Sequence, residues 1–299
     1  MRRDASGFED QIRKDDNVKR FRLLFAACGL LATTAAAVLV AGGASASAAN
    51  GLPTLTMALN GKTVTVGGSM VSGAVNVQTT VTGEPGGGPA LVRLNPGEPA
   101  SIFTQVNNII NSHHGQIDYL DPYGSLVFDG VAPKGTSTAQ TVLTPGTYIA
   151  LDTGGNGNTP PHTSFTVTPS AAPASLPKAQ ATIASIEFGF TGPTTLHDGE
   201  LVEFVNDGFL VHMDEWEKVK NMADARLLVK GLLDNASQRK LGKLLTAEGG
   251  FAGPMSTGGI VESVITEPPG IYVQDCFMAT QDGRIHTQLG MERIIRIVK

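Results

Sequence analysis

The sequence predicts an all-β architecture with helical insertions, divided into two domains, and three features carry that expectation. Its 36 glycines and 17 prolines punctuate short runs rich in Val, Thr and Ile, the composition of strands and turns rather than of helix bundles. Its 299 residues suit two domains once a targeting segment is set aside. The two halves also share an ordered set of motifs, set out below.

The N-terminus has the pattern of an export signal. Arg2, Arg3, Arg13, Lys14, Lys19, Arg20 and Arg22 precede an apolar run over residues 23–41. The small residues 42–49, Gly-Gly-Ala-Ser-Ala-Ser-Ala-Ala, fit a cleavage site after Ala46, Ala48 or Ala49. Residues 1–48 are therefore a signal peptide or, uncleaved, a membrane anchor near the lower length of a spanning helix. The expected location is secreted or cell-envelope, at the outer face of the membrane. Contact with the membrane is expected only through this segment. Cys28 leaves with a cleaved signal, and Cys276 is then the only thiol. It can form no internal disulfide, which leaves an intermolecular bridge, a buried inert thiol or a thiolate held by a metal. The net charge is −5. With no Lys/Arg cluster beyond the N-terminus, nucleic acid is excluded as an expected partner.

The first domain, residues 50–168, has alternating or apolar strand segments at 63–66, 74–79, 90–94, 138–143, 147–151 and 163–168. Ile102, Phe103, Val106, Ile109 and Ile110 are at helical spacing and predict a helix over 101–111. Residues 169–180 form a Pro/Ala/Ser linker. The second domain, residues 181–299, has strand segments at 182–188, 201–205, 209–213, 259–265, 271–278 and 293–298. A helical insertion over 214–247 interrupts them. There Trp216, Val219, Met222, Leu227, Leu228, Leu232 and Leu233, then Leu241, Leu244 and Leu245, suggest two amphipathic helices broken near Asn235.

Pro145-Gly146-Thr147-Tyr148-Ile149 in the first half lines up with Pro269-Gly270-Ile271-Tyr272-Val273 in the second, which places Asp152 where Cys276 stands. Pro160-Pro161-His162-Thr163 lines up with Arg284-Ile285-His286-Thr287. Each half also has a helical stretch at the same point of its strand order. Ordered matches of this kind point to two copies of one unit.

The chemistry concentrates between residues 276 and 291. Cys276, His286 and Met291 lie between two apolar strands, and a loop anchored at both ends can bring them to one point. Upstream, His212 follows the stretch Val202-Glu203-Phe204-Val205-Asn206. One thiolate, two imidazoles and one thioether suit copper, the soft sulfurs favouring Cu(I) and the imidazoles serving both oxidation states.

These residues resemble the cupredoxins, the group of plastocyanin and azurin. They are most similar to plastocyanin-like domains of exported bacterial proteins with a Cys-Phe … Asp-Gly-x-x-His-x-x-x-Gly-Met pattern. The resemblance covers residues 182–299 apart from the insertion, and 55–168 weakly. It implies Greek-key β-sandwiches, copper as cofactor, Cys276 as thiolate ligand, His212 and His286 as imidazole ligands, Met291 as axial sulfur, and one-electron transfer. Three departures stand out. Nine residues separate Cys276 from His286, Met213 stands where small carriers have an Asn that steadies the thiolate, and the insertion follows His212.

The first domain has Asp152 in place of the Cys, no Met after His162 and no His around residues 88–91. It is expected to lack a metal site. His113-His114 fit a solvated helix end, and His197 a turn. No Gly-x-Ser-x-Gly, His-Glu-x-x-His, phosphate loop or paired His-x-His motif is present. The expected function is copper binding, for electron transfer with a partner protein or for copper carriage. The alternative is an exported interaction protein of the same fold without a working metal site. A weaker third expectation is a redox enzyme with a second metal near His162 or His113.

Overall fold

The computed structural model describes residues 51–299 other than 114, 156 and 248. The targeting reading of residues 1–48 lies outside the described residues. Among the described residues no helix is long and apolar enough to cross a membrane.

The first half runs β1 (Thr54–Leu59), β2 (Val64–Gly68), β3 (Gly73–Gly87), β4 (Pro89–Leu94), α1 (Ile102–Ser112), β5 (Gly124–Asp129), β6 (Ala132–Leu143), β7 (Gly146–Asp152) and β8 (His162–Val167). The second runs β9 (Ala181–Ile186), β10 (Gly189–Thr191), β11 (Thr195–His197), β12 (Leu201–Asn206), β13 (His212–Val219), α2 (Met222–Leu233), α3 (Gln238–Leu241), β14 (Leu245–Ala247), β15 (Gly250–Met255), β16 (Ile260–Val264), β17 (Gly270–Asp275) and β18 (Glu292–Val298). Both halves are Greek-key β-sandwiches, and their pairing diagrams coincide. β1 pairs parallel with β3 as β9 does with β12. β3 pairs antiparallel with β6 as β12 does with β16. β4-β7-β8 runs as β13-β17-β18 does. In each half the helical segment follows the strand that opens the second sheet. The shared Pro-Gly-x-Tyr motif does the same work twice, since Tyr148 Oη donates to Thr144 O and Tyr272 Oη to Pro268 O.

The halves are joined rather than strung. Glu262 of β16 faces Gln140 of β6, so one eight-stranded sheet, β10-β9-β12-β16-β6-β3-β1-β2, crosses both. Leu126 and Ser256 exchange two hydrogen bonds, Ser256 N to Leu126 O and Leu126 N to Ser256 Oγ. Residues 169–180 hold no strand or helix and lie along the first half, where Ala74 N donates to Ala174 O. The main core fills the space between the sheets. At its second-half end is Trp216, 1% exposed, stacked on Phe251 and donating its indole N–H to Asp214 Oδ1 at 2.8 Å. A second apolar layer lies between each helix and the outer face of its sheet: α1 on Val92 and Ile149, α2 on Val219 and Val273.

The structure corrects the helical insertion over 214–247. Residues 212–219 are a strand, and helix begins only at Met222. β13 lies between β15 and β17 and is buried on both faces, with Trp216 in the main core and Val219 under α2. Apolar residues on both faces of a strand can mimic a helical spacing. The segment expected as a strand at 209–213 is mostly the loop leading into β13. The break near Asn235 is real: its φ of 53° is left-handed, between α2 and α3. β1, β5, β10, β11, β14 and β15 were not expected. β15, Gly-Phe-Ala-Gly-Pro-Met, has no period-two alternation to reveal it.

Candidate metal centre

His212 opens β13. Its approach is set by Asn206, the last residue of β12, which is fully buried. The Asn206 amide donates to Leu210 O at 2.8 Å and Met255 O at 2.7 Å, and accepts from Ser185 Oγ and Gly208 N. All four bonds hold the 206–210 loop in one shape. Gly208 lies close against the site, since a Cβ there would sit 2.8 Å from His212 Nε2 and 2.7 Å from Glu187 Oε1 and would push one of them aside.

Cys276 directly follows β17. The nine residues before His286 fold as a small hairpin. Ala279 and Ile285 bridge, Thr280 N donates to Arg284 O and His286 N to Met278 O. Asp282 pairs with Arg284 at the tip, beside Gly283 with φ +84°. The long spacer therefore leaves Cys276 and His286 side by side at its base. A single 3-10 turn, His286–Leu289, then closes on Gly290 at φ +93°, with Met291 N donating to His286 O. This returns Met291 next to Cys276, whose N–H donates to Met291 O.

Three of the four sequence candidates converge on one point through their side-chain donors. His212 Nδ1 and His286 Nδ1 face each other at 3.1 Å. Cys276 Sγ lies 3.3 Å from His286 Nδ1 and 3.8 Å from His212 Nδ1. All three residues are 0–1% exposed. Each Nε2 is buried without a hydrogen-bond partner, so both rings turn their engaged edge to the sulfur. With metal–nitrogen bonds of about 2.0–2.1 Å and a metal–sulfur bond of about 2.3 Å, these separations subtend angles of about 100°, 100° and 120° at one ion. The three donors fit a single small soft cation. Met291 is 0% exposed and packs with Val211, Met213, Cys276 and Met278.

Burial dominates the electrostatics. It pushes the Cys276 thiol up to about 12 and the imidazoles down, His212 to about 4 and His286 to about 3, the latter helped by His212 beside it. The metal-free site at neutral pH is therefore a thiol and two neutral rings. Met213 N donates to Cys276 Sγ at 3.4 Å, so the backbone supplies a hydrogen bond to the sulfur although the side chain at 213 is not an Asn. The Phe188 ring stands edge-on to His286 at 5.3 Å, from a turn where Phe188 has φ 58°. That left-handed backbone is costly for a non-glycine residue and fixes the ring as one wall of the site.

The first half lacks this set. Gly88 N donates to Asp152 Oδ1 as Met213 N donates to Cys276 Sγ, and register places Gly87 where His212 stands. The match of His162 with His286 is corrected. His162 opposes Leu151 as Glu292 opposes Asp275, so His162 corresponds to Glu292. His286 sits on the turn before that strand, a segment the first half does not share. His162 packs on Phe103, and His113 on Tyr119. Among the described residues, His212, Cys276 and His286 are the group of His, Cys, Asp or Glu side chains close enough to hold one metal ion.

No protein-family model and no curated protein matches the chain. Solved structures similar to it include a dithionite-reduced auracyanin from the photosynthetic bacterium Roseiflexus castenholzii. It is 19% identical, over 41% of this chain and 100% of that one, with a TM-score of 0.25. A multicopper oxidase is 12% identical over 82% of this chain and 88% of its own, with a TM-score of 0.22. A copper-containing nitrite reductase from Thermus scotoductus is 13% identical over 82% and 61%, with a TM-score of 0.22. With TM-scores this low, the reading of the centre rests on the chain's own donor set, which fits a cupredoxin-type copper site.

Proposed function

We propose that this is an exported copper protein. His212, Cys276 and His286 would hold one ion, with the buried Met291 thioether as a further donor, for one-electron transfer with a partner protein or for copper carriage. The carrying observation is the convergence of one sulfur and two ring nitrogens within 3.8 Å in a fully buried site. A Cys/His/His set with a thioether nearby is the donor chemistry of one-electron copper sites. Bound copper supplies a couple between Cu(I) and Cu(II).

The chain's residues do the rest. The thiol proton leaves when the sulfur becomes a ligand. The rings already present neutral Nδ1 atoms, and the Met213 N–H steadies the sulfur. Asn206, Gly208 and the hairpin base fix the donors from three directions, so little rearrangement accompanies a change of charge. Burial of all donors leaves no open face for substrate, which favours electron transfer or carriage over catalysis. In this reading residues 1–48 direct export to the outer face of the membrane, residues 50–168 are a structural domain without metal ligands, and residues 181–299 carry the centre.

Titration of the purified protein with Cu(II) tests the reading. It predicts one equivalent bound, an intense thiolate-to-copper absorption and a rise in melting temperature, since a ligand of the native state stabilises it. Cys276→Ser removes the absorption. Uptake of neither Cu(I) nor Cu(II) rejects the reading and leaves an interaction protein of cupredoxin-like fold.

A further inference from the structure

The first half makes two hydrogen bonds that bracket the metal centre of the second. Both come from three consecutive residues, 116–118, after α1 and at the start of a short 3-10 turn, Ile117–Leu120. Gln116, 8% exposed, donates through Nε2 to Thr280 O at 3.0 Å. Thr280 lies on the Cys276–His286 hairpin, and its carbonyl also accepts from Gly283 N. Asp118 Oδ1 accepts from Val211 N at 3.0 Å, one residue before His212. Between them Ile117 packs against the cluster of Val211, Met213, Cys276, Met278 and Met291.

The two bonded points belong to the two separate segments that supply donors. Val211 leads into the first imidazole, and the hairpin connects the thiol to the second. Val211 lies just before β13 and Thr280 on the hairpin, so the two bonded points are on separate segments of the second half. A three-residue strap held on the other half ties the two together. The Thr280 carbonyl that Gln116 reaches lies on this hairpin. Changing an outer residue that orients a ligand typically costs about 10–100-fold in metal affinity.

We propose that Gln116, Ile117 and Asp118 are positioning residues for the metal centre, so that the first half, without ligands of its own, sets the geometry in which the second half holds its ion. This inference rests on the copper reading above.

The test uses the full chain loaded with copper. Gln116→Ala combined with Asp118→Ala is expected to move the thiolate-to-copper band, change the reduction potential and weaken copper binding by about 10–100-fold. Asp118→Asn keeps the acceptor oxygen, and in the Gln116 wild-type background it is expected to keep the wild-type band and potential. A purely structural strap would lower melting temperature and leave the spectrum of the bound ion unchanged. If the double variant does not fold, Gln116→Ala alone carries the same spectroscopic expectation, because its amide touches only the hairpin carbonyl. Wild-type band, potential and affinity in the folded variants overturn the positioning role while the copper reading stands. A wild-type protein that takes up no copper overturns both.

Discussion

Replacing Asn206 by Ala removes four hydrogen bonds at once from a residue with no exposed surface. The Leu210 and Met255 carbonyls and the Gly208 N–H lose their partner, while the Ser185 hydroxyl can turn. Each buried polar group left unpartnered costs about 1–3 kcal/mol. A water entering the space of the lost amide offsets part of that sum. The expected net loss is about 3–5 kcal/mol, a large share of the ~5–15 kcal/mol that holds a typical protein folded. The loss also has a direction, because the freed loop leads straight into His212. Urea unfolding of metal-free wild type and variant measures the stability change, and competition with a chelator measures copper affinity, expected to fall in parallel. Asn206→Asp keeps the acceptor but sets a carboxylate oxygen against the Leu210 and Met255 carbonyls in a fully buried place, so at neutral pH a loss at least as large as that of the Ala variant is expected. A stability loss under about 1 kcal/mol, with unchanged copper affinity, would refute the idea that this amide builds the approach to the site.

The remaining predictions concern protons and packing. Copper uptake at pH 7–8 releases one proton per ion, since Cys276 is held up near about 12 while His212 and His286 are already neutral. Calorimetric titration in two buffers of different ionisation enthalpy reads that number, and zero would contradict the thiol as ligand. The metal-free protein is expected to be more stable at pH 5 than at pH 7.5. Burial raises Glu84, Asp214, Glu262 and Glu292 to about 7 and holds Asp129 and Asp275 well above the ordinary carboxylate range. Groups raised on folding contribute stability at low pH and lose it as pH rises from about 4 to 7 and beyond. The two lowered imidazoles act oppositely, losing stability as pH falls below about 6.5, and are outnumbered. Urea midpoints at the two pH values decide it, and equal or reversed midpoints count against these buried acids. Finally, Gly208→Ala forces a methyl against His212 Nε2 and should weaken copper binding by about tenfold. Unchanged affinity would show that the ring has room to move.

What the sequence made legible divides along physical lines. The Tyr148 and Tyr272 motifs and the meeting of Cys276 and His286 with His212 could be read because each turns on short local patterns. β13 could not, because a strand buried on both faces has no alternating face to announce it. The match of His162 with His286 failed for a related reason. Sequence spacing aligned two histidines, but strand register, set by hydrogen bonds from Leu151 and Asp275, puts Glu292 at the position of His162. The hairpin that keeps Cys276 beside His286 was visible only as a long spacer. The Gln116 and Asp118 contacts join residues 164 and 93 positions apart, a distance at which no local pattern speaks.

X-ray absorption at the copper edge of the loaded full-length protein tests the central claim most directly. Capture of one ion by Cys276, His212 and His286 requires a sulfur shell near about 2.3 Å together with two nitrogen neighbours at about 2.0–2.1 Å. A spectrum showing only nitrogen and oxygen around the ion, with no sulfur neighbour, would contradict it.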